Sequence, residues 1–77
     1  MSTARRFTTT SSAARKAGHR LRVLRAERDW RQYAVAADAH ICPSRYWRIE
    51  TGIAAPTPDE LARLAKLFRV PEAELGF

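Results

Sequence analysis

The chain has one cysteine among its 77 residues, Cys42, so no disulfide framework can form within it. No Cys/His cluster has zinc-ligand spacing, so neither a metal nor any other cofactor is expected. No apolar run approaches the ~18 residues a membrane span needs, and there is no secretory-type apolar segment. Acidic residues are few, eight against fourteen basic ones, and glycines number three. A chain of this length makes at most one domain and buries roughly 60% of its unfolded surface. The core is therefore small, and a pocketed enzyme is not expected. A lone free thiol suits a reducing, cytoplasmic setting.

What is present is positive charge, unevenly placed. The formal net charge is +6 and the sequence pI about 10.7. Residues 1–31 hold nine basic and two acidic side chains, residues 32–52 two of each, and residues 53–77 three basic and four acidic. A folded domain with one basic end favours a polyanionic partner, and nucleic acid is the first expectation. Residues 1–12 are rich in Ser and Thr and carry Arg5 and Arg6, which reads as a flexible basic arm ahead of a domain at 13–77.

Helical periodicity begins at Ser12 and continues through Ala14, Ala17, Leu21 and Leu24 to about Arg28–Asp29, with Gly18 weakening the middle by about 1 kcal/mol. Trp30 sits in the connector that follows, as an expected core anchor. A second helix is predicted over Gln32–Ala39, with a thin inward stripe of Val35, Ala36 and Ala39. His40, Ile41 and Cys42 interrupt the pattern. Pro43 restarts it for a third helix to about Thr51, with Tyr46 and Ile49 inward, Ser44, Arg45, Trp47 and Arg48 outward, and Gly52 as the stop. Thr57-Pro58-Asp59-Glu60 is a capping box opening a fourth helix, which Val70-Pro71 ends. Glu72 to Leu75 can add a last turn, giving five short helices and no strand: an all-α domain.

Two helices joined by a turn of about three residues, the second basic on its outer face, form a helix-turn-helix pattern at about 32–51. The spacing Gln32-x-x-Val35-Ala36, Ile41, Ser44, Ile49-Glu50-Thr51-Gly52, Pro56-Thr57, Leu61, Leu64-Ala65, Phe68 and Leu75 resembles the lambda-repressor/Cro-type (XRE-like) DNA-binding family. The match runs without a gap over about residues 18–75. The resemblance implies a compact five-helix domain that binds double-stranded DNA from the cytoplasm, close to the nucleoid.

By position, the resemblance implies that Gln32 grips a phosphate at the start of the second helix, where unpaired N–H groups also favour an anion. The third helix then enters the major groove, with Ser44 and Arg48 reading bases and Pro43 and Arg45 beside them. Trp47 is expected either against a thymine methyl or sugar, or as a surface aromatic covering Ile49 or the loop. Thr51 and the loop after it match a phosphate-contacting stretch. Arg25 and Glu50 match a pair that joins the first helix to the third. Arg31 stands where the family usually has a capping Ser or Thr, and His40 where it has a left-handed Gly. Ile53-Ala54-Ala55 lacks the loop's usual basic residues, so phosphate grip is expected to shift to the N-terminal arm with Arg5 and Arg6; Arg31 is a further expected DNA contact. His19, Arg20, Arg22 and Arg28 are either backbone contacts or a solvated face.

The expected function is sequence-specific transcriptional regulation, by repression, through a homodimer formed along Leu67–Phe77. An antitoxin or a restriction–modification controller of the same fold are alternatives, as is a protein-interaction module without DNA. A protein partner, such as a toxin or antirepressor, is compatible with each.

Overall fold

The computed structural model describes residues 12–75. They form α1 (Ser12–Glu27), α2 (Gln32–Asp38), α3 (Pro43–Thr51), α4 (Pro58–Phe68) and a closing 3₁₀ turn, Glu72–Leu75. Among the described residues there is no strand, and no helix is long and apolar enough to cross a membrane. Arg5, Arg6, Gly76 and Phe77 lie outside the described residues.

The apolar periodicity that defines the helices also defines the core. Leu21 and Leu24 of α1, Val35 and Ala36 of α2, Tyr46 and Ile49 of α3, Leu64 and Phe68 of α4, and Leu75 close over one another. Within the stretch expected to form a dimer surface, Phe68 and Leu75 are thus committed to the protein's own interior. Leu67 and Val70 are only partly buried.

α1 stops at Glu27, slightly short of the predicted end, because Asp29 turns left-handed (φ 57°) and the Trp30 N–H donates back to the Arg25 carbonyl at 3.1 Å. Trp30 is therefore a lid and not an interior anchor. It keeps 36% of its surface exposed and stacks on Phe68 with ring centroids 5.5 Å apart. The Arg28 guanidinium lies over both rings and donates to the carbonyls of Leu24 (2.8 Å) and Phe68 (3.1 Å). Arg28 was a candidate backbone contact for DNA. Here it binds the carboxyl ends of α1 and α4 together, where orphan carbonyls and the helix dipole favour a cation.

Gly18 permits the closest helix contact. A Cβ there would lie 2.7 Å from the Ile49 carbonyl oxygen and closer still to that of Glu50. The helix-weakening residue in α1 is what lets α3 approach backbone to backbone. Gly52 ends α3 at φ 87°, its N–H donating to Arg48 and Ile49 carbonyls. His40 takes the left-handed conformation (φ 58°) that the resemblance implies for its position, at a strain of order 1 kcal/mol. The turn is secured by the Ile41 N–H donating to the Ala36 carbonyl at 2.8 Å and by Arg63 reaching from α4 to the Ala39 carbonyl at 2.7 Å.

Candidate nucleic-acid interface

The Pro43 start and Gly52 stop confine α3 to nine residues, Pro43–Thr51, with Tyr46 and Ile49 fully buried. That inward pair fixes the helix's rotation. Pro43, Ser44, Trp47 and Arg48 are consequently exposed, Trp47 by 48%. The Arg48 guanidinium makes no hydrogen bond or ion pair among the described residues, although its charge is felt by the Cys42 thiol. Ser44 Oγ lies 3.4 Å from Cys42 Sγ, and this hydrogen bond draws the exposed thiol below its ordinary value.

Beneath this outer face lies a buried carboxylate. Glu50 is 2% exposed. Arg25 donates to it twice, Nε to Oε2 at 2.7 Å and Nη2 to Oε1 at 3.1 Å. Gln32 Nε2 donates to Oε1 at 2.8 Å, and the Tyr46 hydroxyl to Oε2 at 2.7 Å. Burial pushes the Glu50 pKa up, but the hydrogen bonds from Arg25, Gln32 and Tyr46 outweigh it and hold the carboxyl below its usual range. Tyr46 is pushed up, first by burial and then by donating to that carboxylate. Arg25 also donates from Nη1 to the Trp30 carbonyl at 3.0 Å, so one guanidinium joins α1, the connector and α3. The cluster ties the first residue of α2 to the last turn of α3 and sets the angle between the two helices.

Gln32 is accordingly placed at the α2 N-terminus, where one of its amide N–H groups serves Glu50. Arg31 precedes it in extended conformation with no side-chain cap, its side chain exposed. Thr51 lies at the end of α3 with its hydroxyl turned back on the Trp47 carbonyl at 2.9 Å.

Arg45 departs from the role expected of it. Its guanidinium turns from the outer face to Glu60, with Nε to Oε2 at 2.9 Å and Nη2 to Oε1 at 2.8 Å, and reaches the Ala55 carbonyl at 3.1 Å. Glu60 meanwhile completes the capping box, accepting from the Thr57 N–H at 2.9 Å. Arg45 thus fastens α3 to the start of α4.

The hydrogen bond from Arg45, aided by that from Thr57, draws the Glu60 pKa from 4.5 down to about 2. A carboxylate whose folded pKa is depressed adds stability above its unfolded value and loses it as pH falls from about 4.5 towards 2. Because Arg45 is partly solvated, the contribution is expected to be about 1–3 kcal/mol. Glu60→Gln is predicted to melt below wild type at pH 7 and to converge with it as the pH is lowered through that window. A gap that stays constant with pH would assign the loss to the capping box alone.

Residues 16–76 match the family model described as a helix-turn-helix domain. No curated protein matches the chain. The fold is similar to the crystal structure of the restriction-modification controller protein C.AhdI from Aeromonas hydrophila. The TM-score is 0.79 at 25% identity, covering 84% of this chain and 98% of that one. With α2 and α3 packed through Glu50 and the outer face of α3 unencumbered, the chain belongs to the helix-turn-helix domain family, in its Cro/XRE-like branch, and is a DNA-binding transcriptional regulator.

Proposed function

We propose that the chain acts as a repressor, binding a palindromic operator as a homodimer, with Ser44, Trp47 and Arg48 reading the major groove. The observation that carries this is the outer face of α3, where the Arg48 guanidinium stands exposed beside a half-exposed Trp47 indole. A helix this short reads only a few base pairs, so two copies are needed for operator-level specificity. The backbone grip comes from the α2 N-terminus, Gln32 and Arg31, with Thr51 at the far end and Arg5 and Arg6 supplied by the arm. Among the described residues of the Leu67–Phe77 stretch, Leu67 and Val70 are the large apolar side chains left for a partner copy. The likeness to C.AhdI favours a second, narrower reading, control of a restriction–modification operon. A neighbouring endonuclease or methyltransferase gene, with the bound site in its promoter, distinguishes that reading from a general repressor.

Selection from a randomised duplex pool tests the proposal. A two-fold symmetric motif is expected for wild type. Arg48→Ala is expected to lose preference at one position per half-site, with about 1–3 kcal/mol less discrimination, because a guanidinium pairs bidentately with guanine O6 and N7. An asymmetric motif would remove the homodimer. An Arg48→Ala motif unchanged at every position, with evenly lower affinity, would make Arg48 a phosphate contact.

A further inference from the structure

We propose that the flank of α1 formed by Arg15, His19 and Arg22 is a second binding track for DNA backbone phosphates, running beside the carboxyl end of α3. It rests on the DNA-binding reading above, and adds to it a set of contacts outside the helix-turn-helix.

Arg15, Gly18, Arg22 and Arg25 recur at spacings of three, four and three residues, which places them along one edge of α1. Three of the four are fixed against the same end of α3. The Cα and Cγ of Arg15 lie 2.8 Å from where a Gly52 Cβ would stand. Gly18 lies beneath the carbonyls of Ile49 and Glu50. Arg25 is bonded to Glu50. Arg22, between Gly18 and Arg25 on this edge, is therefore held beside α3 as well. Yet it is exposed, and no protein group among the described residues engages it. His19 stands one turn from both Arg15 and Arg22 and is likewise exposed. Ser12, Arg15, Lys16 and His19 line an open depression at the head of this edge.

The surroundings make the track useful. The loop leaving Gly52, Ile53-Ala54-Ala55-Pro56-Thr57, contains no cation. A DNA strand passing the end of α3 meets positive charge from α1 and not from the loop. At 1.5 Å rise per residue, the Arg15 and Arg22 Cα atoms are about 10 Å apart, so two long side chains can engage separate phosphates.

Cations at this place could serve only to complement the α3 dipole, and the two roles have different signatures. The test compares Arg15→Gln/Arg22→Gln with Lys66→Gln/Arg69→Gln, an equal charge loss at the exposed far end of α4. Glutamine retains the Cγ that packs Arg15 against Gly52. Full-length proteins are titrated into a fluorescein-labelled mixed-sequence duplex at several salt concentrations, and their melting is followed by circular dichroism. Losing two phosphate contacts is expected to flatten the slope of log K against log salt by about 1.8, with the control pair changing far less. Equal flattening in both pairs would reduce the track to overall charge. Lower melting with an unchanged slope would make it a dipole device. Arg22→Gln alone, which touches no packed group, is expected to give half the flattening, and no flattening from it would overturn the track even if the double variant failed to fold. A wild type whose binding is indifferent to salt would instead overturn the DNA-binding reading itself.

Discussion

Glu50→Ala is expected to be the most damaging single substitution in the domain, costing about 3–5 kcal/mol. That is the cost of breaking a buried ion pair by removing one partner. Three donors, on Arg25, Gln32 and Tyr46, lose the same carboxylate at once. Arg25→Ala is expected to cost less, because the carboxylate it leaves keeps its bonds from Tyr46 and Gln32. The two substitutions together are expected to cost less than their sum, since the second no longer strands a charge. Chemical denaturation of wild type, the two single variants and the double variant yields the coupling directly. Simple additivity would show that the pair does not act as a unit. Against a total stability in the range of 5–15 kcal/mol for a domain, and towards its lower end for one this small, the alanine at position 50 is expected to leave much of the population unfolded near body temperature.

Gly18→Ala poses a contest between two effects of opposite sign. Alanine in a helix interior gains about 1 kcal/mol over glycine. Its methyl would, however, be driven into the carbonyl oxygens of Ile49 and Glu50, which are backbone atoms and cannot rotate aside. Overpacking of this kind costs about 1–3 kcal/mol in side-chain surroundings and more where backbone must shift. The clash is expected to win, with a net loss of about 2 kcal/mol or more and a melting temperature lower by something like 10 °C. α3 is also displaced from α1, so DNA affinity is expected to fall in the surviving folded fraction. An alanine variant that melts higher than wild type would show that the two helices can separate at little cost.

Both cases bear on what the sequence discloses. Helix ends were legible wherever a residue carries its own backbone rule: Pro43 opening α3, Gly52 closing it, and Thr57 to Glu60 opening α4. Tyr46 and Ile49 were legible as core because their spacing matches one helix face. The joining of Arg25 to Glu50 followed from the family's spacing. The destination of Arg45 was not legible. Helical position placed it on the outer half of α3, but its partner Glu60 is 15 residues onward, and the capping box already accounted for that glutamate. Arg28 and Trp30 were misjudged for a related reason. Both act where the ends of α1 and α4 meet, a contact 40 residues apart in the chain that no local pattern encodes. The left-handed turns at Asp29 and Arg69 carry no glycine to announce them.

The division of labour on α3 also bears on how such a protein can diverge. Residues that hold the helix in place, Tyr46, Ile49 and Glu50, face inward, while the Trp47 and Arg48 side chains lie on the exposed face. Surface exchanges away from such bearings typically alter stability by no more than about 0.5 kcal/mol. Mutations at 47 and 48 can therefore accumulate without endangering the fold, and on the proposed reading each would change the operator sought. After a gene duplication, two copies could part company in their targets through a few nearly neutral steps. A drift at position 50 would instead be purged at once, whatever sequence the protein reads.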